Sequence, residues 1–102
     1  MVLHKDNTLE RYNLHGAKPD GWQGIKGPET IKNLPELLEL QDRKYWIVRT
    51  STETVIYPFT GGDPVVKGEG TKMIKPDSAI IPSGKAVKAD CYDGKTRDFK
   101  LN

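Results

Sequence analysis

A chain of 102 residues, 35% hydrophobic and 29% charged, has room for one domain with a modest core, and its apolar residues cluster into strand-length runs, which excludes outright disorder. The single cysteine, Cys91, excludes an internal disulfide framework or a multi-cysteine metal site, and no run approaches the roughly 20 apolar residues of a membrane span. The net charge of +2 divides as +1 over residues 1–28, −2 over 29–64 and +3 over 65–102, a basic bias short of the strong excess typical of a polyanion binder.

The opening segment, MVLHKDNTLERYNLHG, lacks the apolar centre of a signal peptide, so the expected location is cytoplasmic. Its apolar residues fit neither the helical nor the strand period well. Asn7 with Glu10 three residues later is capping-box chemistry for a short helix ending before Gly16. Residues 1–27 are read as a loosely packed arm on a single small domain, 1–102. Pro19-Asp20-Gly21 then marks a turn, and Trp22 stands in that loop, where folding back onto the core is preferred to a ligand-stacking role.

Gly27-Pro28-Glu29 places proline and an acid where a helix begins, and Ile31, Leu34, Leu37, Leu38 and Leu40 recur at helical spacing. Pro35 interrupts the stripe and predicts a kinked helix or two short ones.

Residues 45–59, YWIVRTSTETVIYPF, read as a hairpin with a three-residue loop at Ser51-Thr52-Glu53. That register pairs Val48 with Ile56 and Ile47 with Tyr57. One face then holds Trp46, Val48, Ile56 and Pro58; the other holds Tyr45, Ile47, Val55, Tyr57 and Phe59 with Arg49 beside them. Apolar groups stay on both faces even if the register slips by one residue. Such a hairpin belongs in the middle of a layered fold, with the helix expected on one side and later strands on the other.

Beyond Phe59 the sequence is punctuated by glycine and proline, with short strand candidates at residues 65–67, 71–75 and 79–81. The last hairpin is the clearest. Tyr92-Asp93-Gly94 suits a three-residue loop with glycine in the left-handed position, which pairs Val87 with Phe99 and Lys88 with Asp98 and turns Cys91 inward. The expected fold is therefore α+β: a kinked N-terminal helical segment on a twisted antiparallel sheet of about five short strands, open or partly closed into a small barrel.

Catalytic signals are weak. His4 and His15 are the only histidines and show no zinc-type spacing with Cys91, and the paired glycines match no phosphate-binding fingerprint. Neither a cofactor nor a metal is expected. The reading that remains is a non-enzymatic protein-binding or assembly module, an accessory protein or inhibitor, with another protein or a second copy as partner and no membrane. Its expected binding residues are Tyr45, Ile47, Arg49, Tyr57 and Phe59, because tyrosine and arginine are enriched at binding hot spots. The alternative is a small single-stranded nucleic-acid-binding domain using Lys72, Lys75, Lys85, Lys88 and Arg97, although interleaved acids dilute that positive field.

Overall fold

Strands, not helices, make up nearly all of the regular structure of the described residues. The computed structural model describes residues 1–101, which form three separate three-stranded antiparallel sheets in chain order. The first holds β1 (Val2–Leu3), β2 (Thr8–Glu10) and β3 (Ile25–Lys26); the second β4 (Glu36–Leu40), β5 (Arg43–Arg49) and β6 (Thr54–Pro58); the third β7 (Ile81–Ser83), β8 (Ala86–Asp90) and β9 (Thr96–Lys100). Helical structure among the described residues is confined to one 3₁₀ turn, Gly70–Lys72. The α+β expectation is thereby corrected to a nearly all-β fold, and none of the sheets closes into a barrel.

The expected kinked helix is the strand β4 and its approach. Pro28 and Pro35 leave only six residues between them, too few to repay helix nucleation, and each disfavours the α conformation in the residue before it. The residues after Pro35 alternate: Leu38 and Leu40 are buried while Glu36, Leu37 and Glu39 face outward. Gln41 adopts a φ of 56° in the two-residue link to β5, the positive φ that a primed hairpin turn requires at its first position. The run is ambiguous in sequence because 31, 34, 38 and 38, 40 satisfy both periods.

The short helix expected after Asn7 is likewise absent. Asn7 sits at φ 69° in the turn from β1 to β2. Its side chain reaches the segment beyond β3, where Nδ2 donates to the carbonyls of Gly27 (3.2 Å) and Glu29 (2.5 Å) and Oδ1 accepts from the Ile31 N–H (2.9 Å). A residue type suited to capping a helix thus closes a loop instead, through the same affinity for backbone groups.

The hairpin at 45–59 forms, one residue out of the expected register. Arg49 pairs with Thr54, Ile47 with Ile56 and Trp46 with Tyr57, around a four-residue loop. Thr50 sets this length: its Oγ1 accepts from the N–H groups of Thr52 and Glu53 and donates to the Glu53 carbonyl. The slip moves Ile56 to the face of Tyr45 and Ile47, and Val55 and Tyr57 to the face of Trp46 and Val48. The middle sheet is covered on both. Tyr45, Ile47, Ile56, Leu38 and Leu40 pack with Val87, Ala89, Cys91 and Leu101 of the third sheet region, while Val48, Val55 and Tyr57 pack with Leu9, Ile25 and Ile31. The layer expected to be helical is therefore supplied by β1–β3. The last hairpin matches its expected register, with Val87 opposite Phe99, Lys88 opposite Asp98, and Gly94 at φ 81°.

One acid is buried in the loop between β5 and β6. Glu53 is 4% exposed, its Oε1 has no hydrogen-bond partner among the described residues, and burial pushes its carboxyl above the usual range against the opposing pull of Lys67. Since the folded state holds this proton more tightly than the unfolded state, the group contributes stability that is complete below the unfolded pKa and lost as pH rises through the folded one. Glu53→Gln is accordingly expected to raise the melting temperature at neutral pH by about 4–8 °C, corresponding to about 1 kcal/mol, and to flatten the fall in stability between mildly acidic and neutral pH. Melting curves of both proteins across that range check the sign; a Gln variant less stable than the parent at neutral pH refutes it.

Candidate functional site

The five expected binding residues are divided among four places. Tyr45 and Ile47 lie buried between the second and third sheets, and Tyr57 is buried between the first and second, so these three form no shared surface. Arg49 is half-buried at the end of β5, with Nε on Glu36 Oε2 (3.0 Å) and Nη1 on Thr54 Oγ1 and the Ser78 carbonyl. Phe59 alone joins a surface cluster.

That cluster is aromatic and cationic. Trp46 and Phe59 stack with ring centroids 5.5 Å apart and planes 13° from parallel, and Trp46 Nε1 donates to the Phe59 carbonyl (3.0 Å). The Arg11 guanidinium lies 4.5 Å from the Phe59 centroid, 5.7 Å from Trp22 and 5.9 Å from Trp46, all within cation–π range. Lys44 Nζ adds a second cation 5.6 Å from Phe59. Trp22, Trp46 and Phe59 are all half-buried, and the exposed Leu37, directly across from Trp46 on β4, extends the patch toward the sheet edge.

Local chemistry fixes the Trp22 loop. Glu10 on β2 accepts from Trp22 Nε1 (3.2 Å) and pairs with Lys18 (2.9 Å), and the Lys18 contact is the main cause holding the Glu10 carboxyl below its usual range. From the other side, the turn after Phe59 is stitched to the same loop: Gln23 N–H donates to the Thr60 carbonyl (2.8 Å) and Gly62 N–H to the Gly24 carbonyl (2.7 Å). Gly61 is buried at φ 81°, and a Cβ there would sit 2.6 Å from the Gly24 oxygen. Only glycine admits that approach.

No known protein family, curated protein or solved structure matches the chain.

The five candidate basic residues lie on separate elements. Lys72 is on the 3₁₀ turn, Lys75 lines a groove with Arg49, and Lys85 stands in the β7–β8 turn. Lys88 faces Asp98 across β8 and β9, and Arg97 is paired with Asp93. The catalytic candidates are equally dispersed. His4 Nε2 lies 3.2 Å from the Tyr12 hydroxyl, His15 is exposed in a loop, and Cys91 is fully buried with its thiol pushed up by that burial and by Asp93. Such a thiol is a packing group, poorly placed to act as a nucleophile. No group of three metal-ligating side chains occurs among the described residues, and none of their helices is long and apolar enough to cross a membrane.

The sequence signal for this patch is faint. Trp22 is expected to fold onto the core, and it does pack at the margin of the core between the first and second sheets, yet Arg11 carries no signal at all.

Proposed function

We propose that the chain is a non-enzymatic protein-binding or assembly module, an accessory protein or inhibitor, that engages another protein or a second copy of itself through the surface of Leu37, Trp46, Phe59 and Trp22 around Arg11. The observation that carries this reading is the convergence of three large rings on one guanidinium at the margin of the core, each ring still reachable from solvent. Tryptophan and arginine dominate binding hot spots because they bring large, stiff contact area with directional polar groups. Contiguous apolar surface on a small domain is costly to leave in water and marks an interaction site. A reducing, cytoplasmic setting suits the lone thiol of Cys91.

A second reading has one observation in its favour: Arg11 and Lys44 lie over aromatic rings, the pairing of cation and stacking surface that single-stranded nucleic acid uses.

Selection of peptides from a random display library on the folded full chain separates the two. Selected peptides are expected to lose affinity at least roughly tenfold on Trp22→Ala and on Arg11→Ala, as hot-spot truncation does, with circular dichroism spectra unchanged. Peptides indifferent to both substitutions overturn the proposal. Micromolar binding of a labelled single-stranded oligonucleotide that persists at about 0.15 M salt and disappears in Trp22→Ala assigns the patch to nucleic acid instead.

A further inference from the structure

On the opposite face of the middle sheet from Trp46, at the end where β5 leaves it, Lys32, Asn33, Arg49, Lys75, Pro76, Asp77 and Tyr92 line a groove of about 470 Å³. This lies within the size range of small-molecule sites. Backbone hydrogen bonds draw its walls from four separate segments: Lys32 N–H donates to the Arg49 carbonyl (3.0 Å), Lys75 N–H to the Asp90 carbonyl (2.9 Å) and Tyr92 N–H to the Met73 carbonyl (2.9 Å).

Of its cations, one is held in place and two are without an ion pair among the described residues. Arg49 is anchored through Nε and Nη1 on Glu36, Thr54 and Ser78, which leaves Nη2 without a hydrogen bond among the described residues. Lys32 and Lys75 have no ion pair among the described residues. Even counting Glu36 and Asp77 against these three, the groove keeps a positive balance. A guanidinium locked by its other bonds loses little freedom on taking a further anionic partner. Tyr92 is 48% exposed, and its hydroxyl donates to the Thr52 carbonyl at 2.6 Å, so the ring is fixed at both ends while its surface stays open.

We infer that this groove binds a phosphate monoester of mononucleotide size, with Lys32, Lys75 and Arg49 taking the phosphate and the fixed ring of Tyr92, with Pro76, taking the base. Charge-assisted hydrogen bonds suit the dianion, and base stacking on an aromatic ring is tolerant of base identity. The site is independent of the aromatic patch, since the two occupy opposite faces of the middle sheet.

The test titrates the isotopically labelled full chain with adenosine monophosphate at low salt, with adenosine and inorganic phosphate in separate arms. Saturable shifts are expected at Lys32, Lys75 and Tyr92, with adenosine bound at least roughly tenfold more weakly than the monophosphate because it forfeits the charged contacts. Lys32→Gln combined with Lys75→Gln should weaken the monophosphate roughly tenfold, whereas Lys88→Gln, on the outer surface of β8, should leave it unchanged. Tyr92→Leu should weaken the monophosphate and spare inorganic phosphate. The inference is overturned if no saturable binding is seen, if the double variant binds as the parent does, or if Lys88→Gln costs as much. Inorganic phosphate binding as tightly as the monophosphate overturns the mononucleotide assignment.

Discussion

Tyr57→Ala is expected to destabilise the fold by about 3–5 kcal/mol, enough to unfold a domain of this size in mild denaturant. The side chain is 2% exposed and fills the space among Leu9, Ile25, Ile31, Val48 and Val55, where the two layers can collapse only partly around a cavity. Its hydroxyl reaches the Lys26 carbonyl at a long 3.4 Å, so Tyr57→Phe should cost no more than about 1 kcal/mol. Burial raises the phenol to about 12, with Glu53 and Asp63 adding to the effect. A folded pKa above the unfolded one means that stability is complete below about pH 10 and drains away as pH climbs toward 12, so the parent should unfold in alkali and Tyr57→Phe should resist longer. Denaturant midpoints for the two variants, measured at neutral and alkaline pH, check both statements. An unchanged midpoint for Tyr57→Ala would remove this residue from the core.

Gly61→Ala should be the next most damaging, at about 2–4 kcal/mol, because two penalties coincide. The residue occupies a positive φ, and its new methyl would press on the Gly24 carbonyl, a backbone atom held by the Gly62 N–H. Gly84→Ala is the internal control. It shares a positive φ of 63° but has nothing within 4 Å, so it should cost only the backbone term of about 1–2 kcal/mol. Tryptophan fluorescence adds a local readout, since displacing the Gly24 segment should also loosen Trp22 from Arg11. Equal losses for the two alanines would show that the close approach to Gly24 is unimportant.

Features set by local residues are legible in the sequence, and those set by long-range contacts are not. The last hairpin is legible to the residue, because Gly94 dictates a turn geometry and the turn dictates the pairing. The hairpin at 45–59 is legible in existence and in its two apolar faces, but its register depends on one hydroxyl, Thr50 Oγ1, whose choice among nearby amides no periodicity encodes. The helix expected over residues 28–40 fails because a short apolar run satisfies two periods at once, and tertiary burial of Leu38 and Leu40 decides between them. The site is the least legible. Arg11, Trp22, Trp46 and Phe59 belong to four segments, and what unites them is the stitching of the Thr60–Gly62 turn to Gln23 and Gly24, a long-range contact between stretches that each look like ordinary loops. The grouping of Tyr45 with Tyr57 as one surface depends on the wrong register and disappears with it.

The arrangement of the sheets also bears on how the chain finds its fold. Within each sheet the strands pair in chain order, so each sheet is a meander whose ladder closes over short loops, apart from the longer connection between β2 and β3, and β6 is further bridged through Ile56 to Val66. Closing such ladders costs little chain entropy, and hairpins of this kind form in microseconds. What is non-local is the stacking of one meander on another, and the middle one has no face that it can leave in water. Its hairpins therefore gain lasting stability only when an outer meander docks, so docking of the layers is the expected slow step, and the packing ties Val48 to Leu9 and Ile25, and Ile56 to Val87 and Cys91, residues far from them in the sequence.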